Sequence, residues 1–214
     1  MVHRGAARGG ALAGGAMATD YEALLDNLLR FYPFDGKVVL ALGAGGGQLA
    51  GYGRAARRVI AVDPDGAALA ALAERIAALG IADRFALVAS DFMALDERAD
   101  VVLFEFALHE LPDPTAALAH AAALAPDTVV IDHASGSPWA DAADEAEKVA
   151  AAWRAVADRG VRREAGFDAV QRFASYRELA KKLAGQGAEA MRRIERWRGC
   201  AEIAIPMGYR IAQL

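Results

Sequence analysis

The chain has 214 residues, 55% of them hydrophobic and 24% charged, with a formal net charge of −4. That length provides one substantial core, and that composition excludes a disordered or collagen-like chain. No run of 18 apolar residues occurs, so no membrane span is expected, and a single cysteine, Cys200, excludes an internal disulfide framework and any multi-thiolate metal site, which fits a reducing, cytoplasmic setting.

Residues 1–18 are rich in Gly and Ala, carry Arg4 and Arg8, and run into a second methionine, Met17. Glycines interrupt what would be the apolar core of a secretory signal, so this stretch is expected to be a leader or an over-extended start. Asp20 is then placed to cap a helix whose apolar positions Leu24, Leu25, Leu28, Leu29 and Tyr32 recur at helical spacing before Pro33. A continuous apolar run at 37–42 follows, then glycines, a helix-compatible stretch at 48–58, and a second apolar run at 59–62. The alternation predicts a helix at 66–79, strands at 85–90 and 101–106, a helix at 114–124 and a strand at 128–132. Buried strands separated by helices of this length predict an α/β fold with a doubly wound, mostly parallel sheet covered on both faces.

Beyond His133 the strand pattern stops. Residues 141–198 read as helices broken at Gly160, Gly166, Gly185 and Gly187, and are expected to form a helical cap on a core spanning 19–140. Two short apolar segments, 201–205 and 209–211, flank Pro206-Met207-Gly208 and are expected to make a closing edge hairpin within 199–214.

The run Val38-Val39-Leu40-Ala41-Leu42-Gly43-Ala44-Gly45-Gly46-Gly47 puts a glycine-rich turn after the first buried strand. Without Cβ atoms, that backbone lets a ligand approach the strand end, where open α/β sheets bind ligands. Asp63 ends the second strand, where a carboxylate can accept both hydroxyls of a ribose. A dinucleotide fingerprint needs Gly-x-Gly-x-x-Gly, and its third glycine position is here Gln48.

The version present, Gly43-Ala44-Gly45-Gly46-Gly47, resembles motif I of the class I S-adenosylmethionine-dependent methyltransferases, and the resemblance extends from about Asp20 to His133. Val59-Ile60-Ala61-Val62-Asp63-Pro64 is similar to that family's second strand, whose acid binds the cofactor ribose. Ser90-Asp91-Phe92 is similar to the segment whose acid meets the adenine amino group. The stretch from Asp100 to Asp113 resembles the fourth-strand motif of small-molecule methyltransferases of the quinone-methylating type. The resemblance implies a Rossmann-like methyltransferase fold, S-adenosylmethionine as cofactor and S-adenosylhomocysteine as product. It implies a cofactor site of Gly43, Ala44, Gly45, Gly47, Asp63, Pro64, Asp91, Phe92 and Glu105. In one respect the sequence departs from the family: the acid common two residues before the first glycine is here Ala41, so recognition shifts towards the backbone around Gly43 and Glu105. The plainer alternative for Asp63 and Asp91 is a turn or cap at a strand end.

Methyl transfer needs an in-line approach and a deprotonated nucleophile, so positioning can carry much of it and a base is optional. Glu105 and His109 follow the fourth strand, and Asp132 and His133 the fifth, on one rim. His133 is the first choice of base, with Glu105 and His109 as further candidates; the alternatives are a loop histidine bonded to backbone and, for His109, a packing role before Pro112. A Glu105, His109, His133 metal set has unspecific spacing, and no metal is expected. A hydrolase elbow is absent, since Ser135-Gly136-Ser137 lacks the preceding glycine.

Residues 148–198 hold 13 Lys or Arg against 6 Asp or Glu, while the remainder carries net −11. In the resembled family, segments after the fifth strand help cover the substrate, so the resemblance implies an anionic or aromatic small-molecule acceptor or an acidic partner; otherwise this segment forms solvated helix faces. Nucleic acid is not expected, because the pI is 5.6 and no recognised binding motif occurs. Two other functions remain open at this point: a nicotinamide-dependent oxidoreductase, and a non-catalytic S-adenosylmethionine-binding module that regulates a partner.

Overall fold

A computed structural model describes residues 20–214; the leader expected at 1–18 lies outside the described residues. Asp20 caps α1 (Tyr21–Phe31) by accepting a hydrogen bond from the Ala23 N–H at 3.0 Å, and Leu24, Leu28 and Phe31 form its buried stripe. There follow β1 (Val38–Leu42), β2 (Arg58–Val62), α2 (Gly66–Ala78), β3 (Phe85–Val88), β4 (Val101–Glu105), α3 (Pro114–Leu124) and β5 (Asp127–His133). Asp65 and Asp113 cap α2 and α3 through backbone N–H groups of Ala67 and Ala116. The rest comprises α4 (Pro138–Ala142), α5 (Ala146–Arg159), β6 (Arg163–Phe173), α6 (Tyr176–Leu183), α7 (Ala188–Ile194) and β7 (Ile203–Gln213). Among the described residues no helix is long and apolar enough to cross a membrane.

The seven strands form one sheet in the order β3-β2-β1-β4-β5-β7-β6, with β1 to β5 parallel and β7 antiparallel to both its neighbours. Alternate residues feed two cores. Val39, Ala41, Val101 and Leu103 pack with α1, α2, α6 and α7, whereas Leu40, Leu42, Val102 and Phe104 pack with α3 and α5. The chain moves outward through β1, β2 and β3, then returns to place β4 on the other side of β1. This reversal opens a crevice between the carboxyl ends of β1 and β4, where Gly43 and Glu105 leave the sheet side by side.

Three expectations are corrected. The stretch at 48–58 is not an α-helix: after a 3-10 turn at Gly45–Gly47 it forms only a short 3-10 helix at Ala50–Arg54, and Arg58 already belongs to β2. Its glycines admit close neighbours, since a Cβ on Gly51 would lie 2.4 Å from Leu25 Cδ2 and one on Gly53 2.4 Å from the Phe85 ring, so the segment is shaped by α1 and β3. Second, the region expected to be wholly helical contains β6. Its inward row of Ala165, Phe167, Ala169, Gln171 and Phe173 alternates with outward Glu164, Gly166, Asp168 and Arg172, a period-two pattern that alanines at inward positions obscure.

Third, β7 is one continuous strand paired along its length with β6, and the hairpin is β6 and β7 with α6 and α7 inserted between them. Pro206 does not interrupt it. The Gly208 carbonyl accepts from the Ala134 N–H, so Gly208, and by period two Pro206, turn their backbone groups to the β5 side; β5 ends at His133, and the missing N–H removes no ladder bond.

Candidate functional site

Gly43 follows β1 at φ +73°, and a Cβ there would lie 2.5 Å from Ala107 Cβ and 2.6 Å from the Glu105 carbonyl oxygen. Only glycine permits both the left-handed backbone and this contact with the exit of β4. Beside it Phe106 holds φ +50°, an uncommon conformation for a non-glycine residue, fixed by its N–H donating to the Ile131 carbonyl at 2.8 Å. Gly43 and Phe106 form the partition between two cavities.

The larger cavity, about 560 Å³, is lined by Gly43, Asp63, Pro64, Asp91, Phe92 and Met93, with Glu110 and Leu111 on the far wall. Asp63 Oδ1 accepts from the Asp65 N–H at 2.9 Å, and its Oδ2 faces Gly45. Asp91 Oδ1 accepts from the Met93 N–H at 2.8 Å. Each acid therefore spends one oxygen as a local cap, as the plainer alternative expects, while its carboxylate also lines the cavity. Phe92 is buried edge-on against Phe104, with ring centroids 5.6 Å apart.

The smaller cavity, about 200 Å³, is bordered by Gly45, Gln48, Glu105, His133, Trp139 and Lys182 among others. Glu105 is 5% exposed, and its Oε1 accepts from the Tyr52 hydroxyl at 2.7 Å. Burial pushes its carboxyl up to about 7, against a partial offset from the Tyr52 hydrogen bond, and burial likewise raises the Tyr52 phenol. His133 also borders this cavity; burial pushes it down to about 4, so the ring is neutral. Its carbonyl accepts from Trp153 Nε1 at 2.6 Å.

Of the residues read from the sequence, Gly43, Asp63, Pro64, Asp91 and Phe92 meet in the larger cavity, and Gly45, Glu105 and His133 in the smaller. Three do not line either. Ala44 is buried, and Gly47 packs on α2, where a Cβ would lie 2.9 Å from Leu72 Cδ1. His109 is buried with Nδ1 2.6 Å from Asp132 Oδ1, and its N–H donates to Asp132 Oδ2 at 3.2 Å. Burial alone would lower its pKa, but the bond to Asp132 and the nearby Glu110 and Glu145 carboxylates raise it to about 10. The sequence reading missed Tyr52, whose only signal was a lone phenol in a glycine-rich stretch, and Glu145, Trp139 and Lys182, which had none. Among the basic residues after Lys148 and up to Arg198, four form ion pairs on the surface: Arg162 with Asp127, Arg192 with Glu189, Arg193 with Asp141, Asp144 and Glu189, and Arg198 with Glu195.

The sequence matches the family described as Methyltransferase domain over residues 17–191. No curated protein matches it significantly. A putative methyltransferase from Bacillus halodurans C-125 shares the fold at 14% identity and a TM-score of 0.63, over 91% of this chain and 97% of the other. Magnesium protoporphyrin IX methyltransferase from Synechocystis PCC 6803, solved with bound SAM, shares it at 14% identity and 0.52, over 90% and 77%. Precorrin 8W decarboxylase from Methanobacterium thermoautotrophicum does so at 14% identity and 0.58, over 89% of each chain. The family match spans most of the chain, and the sheet order and crevice accord with it: the protein belongs to the methyltransferase domain family and has the class I S-adenosylmethionine-dependent methyltransferase fold.

Proposed function

We propose that the protein transfers the methyl group of S-adenosylmethionine to a small molecule received in the smaller cavity. The observation that carries this reading is Glu105, a buried carboxyl at the β1/β4 crevice whose hydrogen bond comes from a neutral phenol and which has no ion-pair partner among the described residues. A buried carboxylate without a cation is costly, and a cationic ligand in that crevice offsets the cost. The α-ammonium of S-adenosylmethionine supplies that charge, and Glu105 then takes the place of the acid that Ala41 lacks.

The other residues fit the rest of the molecule. Asp63 is suited to the ribose hydroxyls, Asp91 to the adenine amino group, Phe92, Pro64 and Met93 to the faces of the base, and the open backbone at Gly43 and Gly45 to the methionine stem. When bound, S-adenosylmethionine supplies an electrophilic methyl group on a sulfonium. This chain contributes orientation and exclusion of water: Phe106, Trp139 and Met207 give the smaller cavity apolar walls, and Lys182 and Gln171 a polar edge. Such a lining suits a small aromatic or apolar acceptor bearing an anionic or polar substituent. His133, depressed to about 4, is a poor match to proton removal at neutral pH, so we assign it to placing the acceptor and rest the rate on positioning. His109 is assigned to holding the rim.

A dinucleotide fits less well. Its pyrophosphate would approach Glu105, and the glycine loop leads into 3-10 turns, which lack the helix N-terminus that cradles phosphate. Calorimetric titration with S-adenosylmethionine, S-adenosylhomocysteine and NADH tests the reading. Binding of the first two and not the third is expected; binding of NADH alone would overturn it. Binding of the sulfonium with no transfer to any member of a broad acceptor panel would favour a regulatory module.

A further inference from the structure

Beside the smaller cavity, His133 belongs to a cluster of buried polar side chains whose grouping methyl transfer by itself does not require. His109 stands on the turn after β4, His133 ends β5, and Glu145 precedes α5; all three are buried, and a donor atom of each lies within 4.8 Å of the others. His133 Nδ1 is buried with no hydrogen-bond partner among the described residues. An unsatisfied imidazole nitrogen in an interior is costly unless something occupies its lone pair.

The spacing around His109 is informative. Its Nδ1 is taken by Asp132 at 2.6 Å, which leaves Nε2 facing carboxylate oxygens: Glu110 Oε1 at 3.4 Å and Glu145 Oε2 at 3.7 Å. Both separations exceed a good N–H···O hydrogen bond, which runs to roughly 3.2 Å. Donor atoms sitting about 2.0–2.1 Å from a common tetrahedral ion are about 3.3 Å apart; His109 Nε2 and Glu145 Oε2 are 3.7 Å apart and the three donors lie within 4.8 Å of one another, so the side chains would draw in slightly around an ion. The Asp132–His109 bond is also the arrangement that orients a metal-bound histidine, a carboxylate holding the ring nitrogen opposite the donor.

We propose that His109, His133 and Glu145 bind a divalent ion of the zinc type, joining the sheet rim to the start of α5. Two imidazoles and one carboxylate favour Zn²⁺ over Mg²⁺, which takes oxygen ligands and retains its waters. This set differs from the Glu105, His109, His133 grouping, whose unspecific spacing led to the expectation of no metal: Glu105 faces Tyr52 instead, and Glu145 comes from a turn with no sequence signal. A dication also balances its surroundings, where Asp132, Glu110 and Glu145 gather with Lys148, 3.0 Å from Glu110. Binding is independent of the cofactor reading, because it is measured without S-adenosylmethionine.

The test uses the full chain without an affinity tag, stripped with EDTA and dialysed against buffered ZnCl₂, with bound metal measured by mass spectrometry. One tightly held zinc per chain is expected. Glu145→Gln and His133→Asn should each weaken it by on the order of tenfold or more, while Cys200→Ser and His120→Asn leave it unchanged. Substitution of Co²⁺ in the wild-type protein needs no variant to fold, and should give the intense visible absorption of a four-coordinate nitrogen and oxygen site. Absence of bound zinc, zinc retained undiminished in both ligand variants, or a weak octahedral Co²⁺ spectrum would each overturn the proposal.

Discussion

The Tyr52 hydroxyl donates to Glu105 Oε1 across 2.7 Å, joining the 3-10 segment that follows the glycine loop to the carboxyl end of β4 with both residues buried. The bond couples the shape of the crevice to the charge on one acid. Glu105 titrates near 7 when folded and near 4.5 otherwise, because burial disfavours its charged form.

That shift has a direction for stability. A carboxyl whose folded pKa is raised contributes fully below its unfolded value, and the contribution is lost as pH rises through the folded value. Wild-type stability should therefore fall by on the order of 3 kcal/mol from this group between about pH 4 and pH 8, and Glu105→Gln should lack that loss. Urea titrations of both proteins at the two pH values measure it. A stability difference between them that does not change with pH would show that Glu105 is not held as a buried acid.

Asp63 borders the larger cavity with Oδ2 turned towards Gly45. Asp63→Ala should weaken S-adenosylmethionine binding by roughly 1.5–3 kcal/mol, through loss of charge-assisted hydrogen bonds to the ribose. Calorimetry gives the number directly, and an unchanged affinity would remove Asp63 from the site.

Gly43 and Gly80 both have positive φ, at +73° and +68°, but differ in surroundings: a Cβ on Gly43 meets the Glu105 carbonyl and Ala107, whereas one on Gly80 meets nothing within 4 Å. Gly80→Ala should cost roughly 1–2 kcal/mol of backbone strain, and Gly43→Ala roughly 2–5 kcal/mol, because overpacking is added. The Gly43 variant should also lose cofactor affinity. Equal costs would mean that β1 and β4 can separate without penalty.

Strands β1 to β5 and the acids at their ends were legible because each is a nearly unbroken apolar run, buried on both faces in all but the half-exposed β3, and the loops between them carry glycine and aspartate at the strand ends. β6 was not, since an edge strand with charged residues on its outer face and alanine among its inner ones has neither a continuous run nor a strong alternation. The segment at 48–58 misled for a different reason: its local preference permits a helix, and only contacts with Leu25 and Phe85 decide otherwise. His109 was visible as a residue type, but its partners Asp132 and Glu145 come from β5 and the approach to α5, so the cluster exists only once the chain has folded.

The last prediction follows the charge on Glu105 into binding. If the carboxylate receives the α-ammonium of S-adenosylmethionine, only the ionised form of the free protein binds well, and the ligand draws the proton off. Affinity should then rise with pH, roughly tenfold per pH unit well below 7, and level off above it, for a total change of roughly tenfold or more between pH 5.5 and 7.5. Calorimetry in buffers of different ionisation enthalpy should detect the released proton near pH 6. Two variants separate this from a general pH effect. Glu105→Gln should bind weakly with a flat profile, because no group at that position titrates. Tyr52→Phe removes the hydrogen bond that lowers the Glu105 pKa, so its profile should keep the same shape and move to higher pH. A wild-type affinity that does not vary over this range, with no proton released, would mean that the ammonium is held elsewhere and that Glu105 serves the fold of the crevice alone.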